Sequence, residues 1–244
     1  MRSDADDATA SSDDDAPASP VQERRAETRW AAFTGIVVAA ALTALVHEPD
    51  TAVGRTVGLI ALAAMAVPLF VINPHRLDRQ TQWSRALAIA FASVLVLVNQ
   101  LGVVNVIVRL VDGSADGATV LLAAGQVWVT NVIAFGLLYW ELDRGGPVAR
   151  GTLPRSALPL ADFAFPQDDE ADAAREVAAG SSRRGDWRPG FVDYLYVSLT
   201  NTMAFSPTDA MPLRSRTKLL MSVQALTGFV LLALVISRAV NILA

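Results

Sequence analysis

Apolar residues in this chain run in long uncharged blocks instead of alternating with polar ones at helical or strand spacing. Four such blocks, Trp30 to Val46, Thr56 to Ile72, Ala86 to Val108 and Gly117 to Trp140, precede a fifth from Leu219 to Ser237. A helix rising 1.5 Å per residue needs about 20 residues to cross the hydrocarbon core of a bilayer, and each block is near that length. No amphipathic stretch of 3.6-residue period lies between them to cover a soluble core. The pattern predicts an all-α integral membrane protein with about five transmembrane helices.

Between the fourth and fifth blocks the pattern changes. From Phe191 a short, moderately apolar helix is expected, ending in Thr200, Asn201 and Thr202, and a polar loop containing Pro207 leads into the last span. Half-helix, loop and full span is the order in which channels keep irregular backbone at membrane depth, where only surrounding protein or water tolerates it. The expected fold therefore gains one re-entrant, pore-like half-helix. Four regions follow: an acidic cytoplasmic tail at 1–29, disordered by composition, a four-helix transmembrane region at 30–140, a cytoplasmic loop at 141–189, and the re-entrant unit with the last transmembrane helix at 190–244. The first block begins behind six Asp, unlike the short basic leader of a secretory signal. A connection of nearly fifty residues such as 141–189 is either functional or unstructured. Its acidic run from Asp168 to Glu176 suits one or two helical turns, and Phe163 and Phe165, on alternate positions, read as resting on the membrane interface.

Composition supports the membrane reading: 52% of residues are hydrophobic and the mean hydropathy is +0.37. Cysteine is absent, which removes disulfide and thiolate chemistry. The net charge of -4 arises largely in the tail and does not mark a nucleic-acid partner. Lys218 is the sole lysine beside many arginines, a usage that matches a high-GC bacterial genome. Arginine placement gives orientation. Arg24, Arg25 and Arg29 precede the first span and Arg76, Arg79 and Arg85 separate the second from the third, whereas the loops at Glu48 and Asp50 and at Asp112 and Asp116 are acidic. Basic loops stay cytoplasmic, so the N-terminus and the 141–189 loop are expected inside the cell, with the protein multi-pass in the plasma membrane.

Enzyme chemistry has no foothold in the pattern. His47 and His75 lie far apart without Cys or a partner one helical turn away, so no metal site is expected, and nucleophile-elbow, phosphate-loop and zinc-helix motifs are missing. Asp193 and Asp209 flank the re-entrant loop and read as cap and turn formers rather than an acid–base pair. No catalytic residue, metal or cofactor is expected. Within the spans, Asn99, Gln100, Asn105, Gln126, Thr130, Asn131, Gln224 and Thr227 serve either interhelical hydrogen bonds of about 0.6 kcal/mol each or a hydrated path. No charged side chain falls at mid-span, which argues against a proton-coupled pump but not against a passive pore.

The segment SLTNTMAFSPTDAMPLRSRTKLLMSVQALTGFVLLALVISRAVNIL resembles the two-span potassium-channel pore module over about fifty residues. That resemblance implies a filter-like stretch at Thr200, Asn201, Thr202, Met203, Ala204, Phe205, Ser206 and Pro207, with Thr208 to Pro212 standing where the family has Gly-Asp-x-x-Pro and Gly228 where it often has a hinge glycine. The same stretch, with Asp193, Tyr196 and Asp209, is also similar to a family of bacterial predicted membrane proteins of unknown function, a match that extends back through LLYWELDRGG. Loop-stabilising roles are expected for Asp193, Tyr196, Thr208, Asp209, Arg214 and Arg216. The T-V-G-Y-G filter itself is lacking: Ala204, Phe205 and Ser206 resist positive φ and Pro207 fixes it near -65°, so a row of inward carbonyls and potassium selectivity are not implied. The Arg count also inverts the loop to the cytoplasmic side, as in the ionotropic glutamate receptor pore. What remains is a channel-like protein passing monovalent cations or small solutes passively through an oligomer, four-fold by the resemblance. The alternative is a non-conducting membrane scaffold whose re-entrant hairpin is only packing.

Overall fold

A computed structural model describes residues 30–45, 82–112, 117–169, 187–203 and 209–243. The expected tail, the second apolar block and residues 204–208 lie outside them. Helix α1 spans Trp30–Leu45, α2 Gln82–Asp112 and α3 Gly117–Leu142, and α7, the last, spans Ser215–Leu243. Three helical stretches, Trp83–Asp112, Gly117–Gly145 and Ser215–Arg238, are long and apolar enough to cross a membrane. At 16 residues α1 reaches about 24 Å, short of a full crossing. The uncharged blocks mark the hydrocarbon-compatible part of each helix, and the helices run on into polar flanks: α7 starts four residues before its block, with Arg216 and Lys218 in its first turn.

Helix α3 is the centre of the bundle, packing on α1, α2, Phe191–Met203 (α6) and α7, and from Thr130 to Glu141 every residue is buried. The outward sides of α2 and α7 are apolar, with Leu97, Leu101, Val111, Leu219 and Leu226 all exposed. Contiguous apolar surface of that extent suits lipid and not water. Helix α6 runs antiparallel to α3, since Tyr194 hydrogen-bonds Asp143 at the end of α3 and Ser198 Oγ donates to the Val132 carbonyl, three turns earlier in α3, at 2.7 Å.

The connection after α3 is not a featureless loop. From Asp143 to Asp169 it folds into a cap: a 3-10 turn at Asp143–Gly145, helix α4 at Pro147–Thr152, a second 3-10 turn at Arg155–Ala157, strand β1 at Phe163–Ala164 and helix α5 at Pro166–Asp169. Strand β1 pairs antiparallel with β2, Met211–Pro212, in the register Phe163 to Pro212, and the Leu213 N–H donates to the Asp162 carbonyl at 2.8 Å. Phe163 and Phe165 do not rest on a membrane surface. Both are buried, packed with Tyr139, Tyr194 and Trp187 in edge-on and tilted contacts, because the cap folds back over the end of α3 and gives the rings a protein environment.

Candidate functional site

The end of α6 is polar because Ser198, Asn201 and Thr202 follow one another at spacings of three and four, which places them on one helical face. That face meets Gln224 of α7, which is completely buried. The Gln224 amide nitrogen donates toward Ser198 Oγ at 2.6 Å and Thr202 Oγ1 at 2.8 Å, and its oxygen accepts from the Tyr139 hydroxyl at 2.7 Å and from Asn201 Nδ2 at 2.9 Å. Asn201 Nδ2 also donates to the Met221 carbonyl at 2.9 Å, and Thr202 Oγ1 donates to the Ser198 carbonyl at 2.8 Å. One turn along α7, Thr227 donates to Gln100 Oε1 at 3.1 Å, while the side-chain amides of Gln100 and Asn99 both donate to Asn131 Oδ1. A polar seam thus passes from α6 through α7 to α2 and α3.

Each link is worth little by itself, but stranding a buried partner costs about 1–3 kcal/mol. Gln224→Leu removes the acceptor of Tyr139 and Asn201 together. It is expected to lower unfolding free energy by about 2–3 kcal/mol, measured by denaturant unfolding in detergent micelles; a curve that overlays the parent contradicts a structural role for the seam.

The expected filter residues divide. Thr200 Oγ1 turns back to the Tyr196 and Val197 carbonyls at 2.9 and 3.1 Å, Asn201 and Thr202 join the seam, and Met203 is half-exposed at the helix end. Ala204, Phe205, Ser206, Pro207 and Thr208 lie outside the described residues. At Gly228 helix α7 continues unbroken, and a Cβ there would stand 2.4 Å from the Thr202 carbonyl oxygen, so the glycine is the point of contact with the end of α6. Asp193 caps α6: its Oδ2 accepts the Gly190 N–H at 2.7 Å. Burial pushes the Asp193 carboxyl above its ordinary range, opposed by that hydrogen bond. Tyr196, Asp209 and Arg214 are exposed.

Arg216 acts on a residue outside the expected set. Its guanidinium forks onto the buried Asp162, with Nε donating at 2.7 Å, and Thr217 Oγ1 donates to the same carboxylate at 2.8 Å. This locks the cap to the start of α7. A second buried carboxylate, Asp143, accepts the N–H groups of Asp162 at 2.6 Å and Phe163 at 3.3 Å and the Tyr194 hydroxyl. Arg150, also buried, donates to the Trp140 and Asp143 carbonyls at 2.9 and 2.7 Å, which satisfies the open end of α3, and lies 4.9 Å above the Tyr194 ring. The chain reverses here through left-handed backbone at Arg144 (φ 49), Gly145 (φ 84) and Gly146 (φ 88). Glycine at 145 and 146 supplies the positive φ that this reversal needs.

Among the described residues no group of three or more His, Cys, Asp or Glu could hold a metal ion. No protein-family model, curated protein or solved structure matches the chain.

Proposed function

We propose that the protein is a membrane channel subunit that passes monovalent cations or small solutes passively through an oligomeric pore, with α6 as a re-entrant half-helix. The observation that carries this reading is where α6 begins and ends. It starts beside Asp143 at the end of α3, and Thr202 meets Gly228 thirteen residues, about 20 Å, along α7. By Met211 the chain is back at the first end, paired with Ala164. A helix that enters to mid-depth and returns points its C-terminal carbonyl dipoles into the bilayer interior, a position suited to a cation. One such half-helix cannot enclose an aqueous path, so several copies are required, four by the channel resemblance. Native mass spectrometry from mild detergent is expected to give a tetramer, and proteoliposomes a cation flux altered by Asn201→Ala. A monomer without flux rejects the channel.

The inward hydrogen bonding of Asn201 and Thr202 onto Gln224 favours a second reading, a non-conducting scaffold with a packed hairpin. In that case proteoliposomes are tight while Gln224→Leu still destabilises.

Either reading uses five spans with a cytoplasmic N-terminus, supported by the alternation of basic and acidic loops. Single Cys placed at Ser11, Asp50, Asp116 and Ser181 are expected to react with an impermeant thiol reagent on whole cells at 50 and 116 only. Labelling at 11 and 181 alone contradicts the orientation.

A further inference from the structure

Three large apolar side chains of the cap and its return strand are exposed, Leu160 by 76%, Met211 by 66% and Leu213 by 49%, and neither the pore nor the scaffold reading uses them. The fold gathers them at one edge. Leu160 and Leu213 border the same cavity, and Met211 stands in β2 opposite Ala164. Their depth follows from the helix ends. Arg216 Nη2 donates to the Leu142 carbonyl at 3.5 Å, which sets the start of α7 level with the end of α3. Helix α2 runs antiparallel to α3, with Asn99 on Asn131 and Gly102 against Val127, so Trp83, exposed in the first turn of α2, stands at that same end of the bundle. Exposed tryptophans at span ends mark the headgroup level.

Two cations adjoin the apolar edge. Arg214 and Lys218 are both exposed, and the Lys218 N–H donates to the Arg214 carbonyl at 3.0 Å, so the two lie one turn apart on one side of the chain. Ser222, Leu226 and Phe229 continue that side and are exposed, which puts the pair at the head of the apolar stripe of α7. Neither Arg214 nor Lys218 has a hydrogen-bond or ion-pair partner for its side chain among the described residues. Arg216, between them, is taken by Asp162, and the exposed Asp209 pairs with neither cation.

We propose that this edge of the cap lies on the membrane surface and collects anionic phospholipid, with Leu160, Met211 and Leu213 among the upper acyl carbons and Arg214 and Lys218 against the lipid phosphates. Exposed apolar side chains bordered by Lys and Arg are what hold interfacial segments to a bilayer. Charge complementarity selects the lipid. A zwitterionic headgroup has no net charge, whereas each cation at the surface raises the local concentration of an anionic headgroup about fivefold.

The test places bimane on Leu160→Cys, in this chain without other cysteines, and reconstitutes the full-length protein in phosphatidylcholine nanodiscs. A trace of nitroxide-labelled phosphatidylglycerol or of phosphatidylcholine with the same labelled chain is then added. The bimane emission is expected to be blue-shifted relative to water, and the phosphatidylglycerol probe to quench it at least fivefold more strongly than the phosphatidylcholine probe. Arg214→Gln with Lys218→Gln should bring the two probes to equal quenching, and Arg214→Lys should keep the preference. Should the double variant not fold, Lys218→Gln alone carries the comparison and is expected to lower the preference. A water-like emission overturns the proposal, and so does a shielded label that neither probe quenches, which would mean that a second copy of the chain covers this edge. Equal quenching by both probes in the parent, or a preference unchanged in the variants, overturns it as well.

Discussion

Asp143→Ala is expected to lower the unfolding free energy by about 3–5 kcal/mol. The carboxylate is fully buried and accepts two backbone N–H groups and the Tyr194 hydroxyl, so alanine strands three donors at once and removes the negative charge beside Arg144. Folded proteins are stable by only about 5–15 kcal/mol in total, which makes this loss large enough to reduce the yield of monodisperse protein. Tyr194→Phe removes one hydrogen bond and keeps the ring against Phe163 and Phe165, so a smaller loss of about 1–2 kcal/mol is expected. Melting temperatures of the two variants in the same detergent check the order; Asp143→Ala melting with the parent would show that the cap does not depend on this carboxylate.

The second large effect is expected at Gly228. Alanine there puts a methyl 2.4 Å from the Thr202 carbonyl oxygen and 2.8 Å from its Cγ2. Because the nearer atom is backbone, no rotamer change relieves the overlap, and α6 must move away from α7, breaking the Gln224 contacts. A loss of about 2–3 kcal/mol is expected for Gly228→Ala, and Gly228→Leu should displace α6 altogether. A pure hinge would behave otherwise: Gly228→Ala would then leave the melting temperature unchanged and alter only flux.

The three helices long enough to cross a membrane were legible because charge is excluded from hydrocarbon regardless of tertiary context, so Gly117 to Trp140 alone foretold α3 to within two residues. The short helix from Phe191 was legible as a moderately apolar run expected to end at Thr202, one residue before its observed end at Met203. Gln224 stood out as a polar residue in an apolar helix, but its partner Tyr139 is 85 residues away and no local pattern joins them. The cap was the least legible part. Its order comes from charges meeting across 19 residues, Asp143 with the Asp162 backbone, and across 54, Arg216 with Asp162, in a stretch without hydrophobic periodicity. Arg216 was noticed as a basic residue near the loop, while the buried carboxylate it grips looked like any other acid in a polar connection.

The reach of the polar seam also sets an order of events during synthesis. Gln224 bonds residues of α3 and α6 made earlier, and Thr227 reaches back 127 positions to Gln100. Until the last helix leaves the ribosome, the polar face of Ser198, Asn201 and Thr202 lacks this partner, so α6 has little reason to settle in its final place before then. Chains truncated before Gln224 are expected to be protease-sensitive between Phe191 and Met203, and chains that include Gly228 to be resistant there.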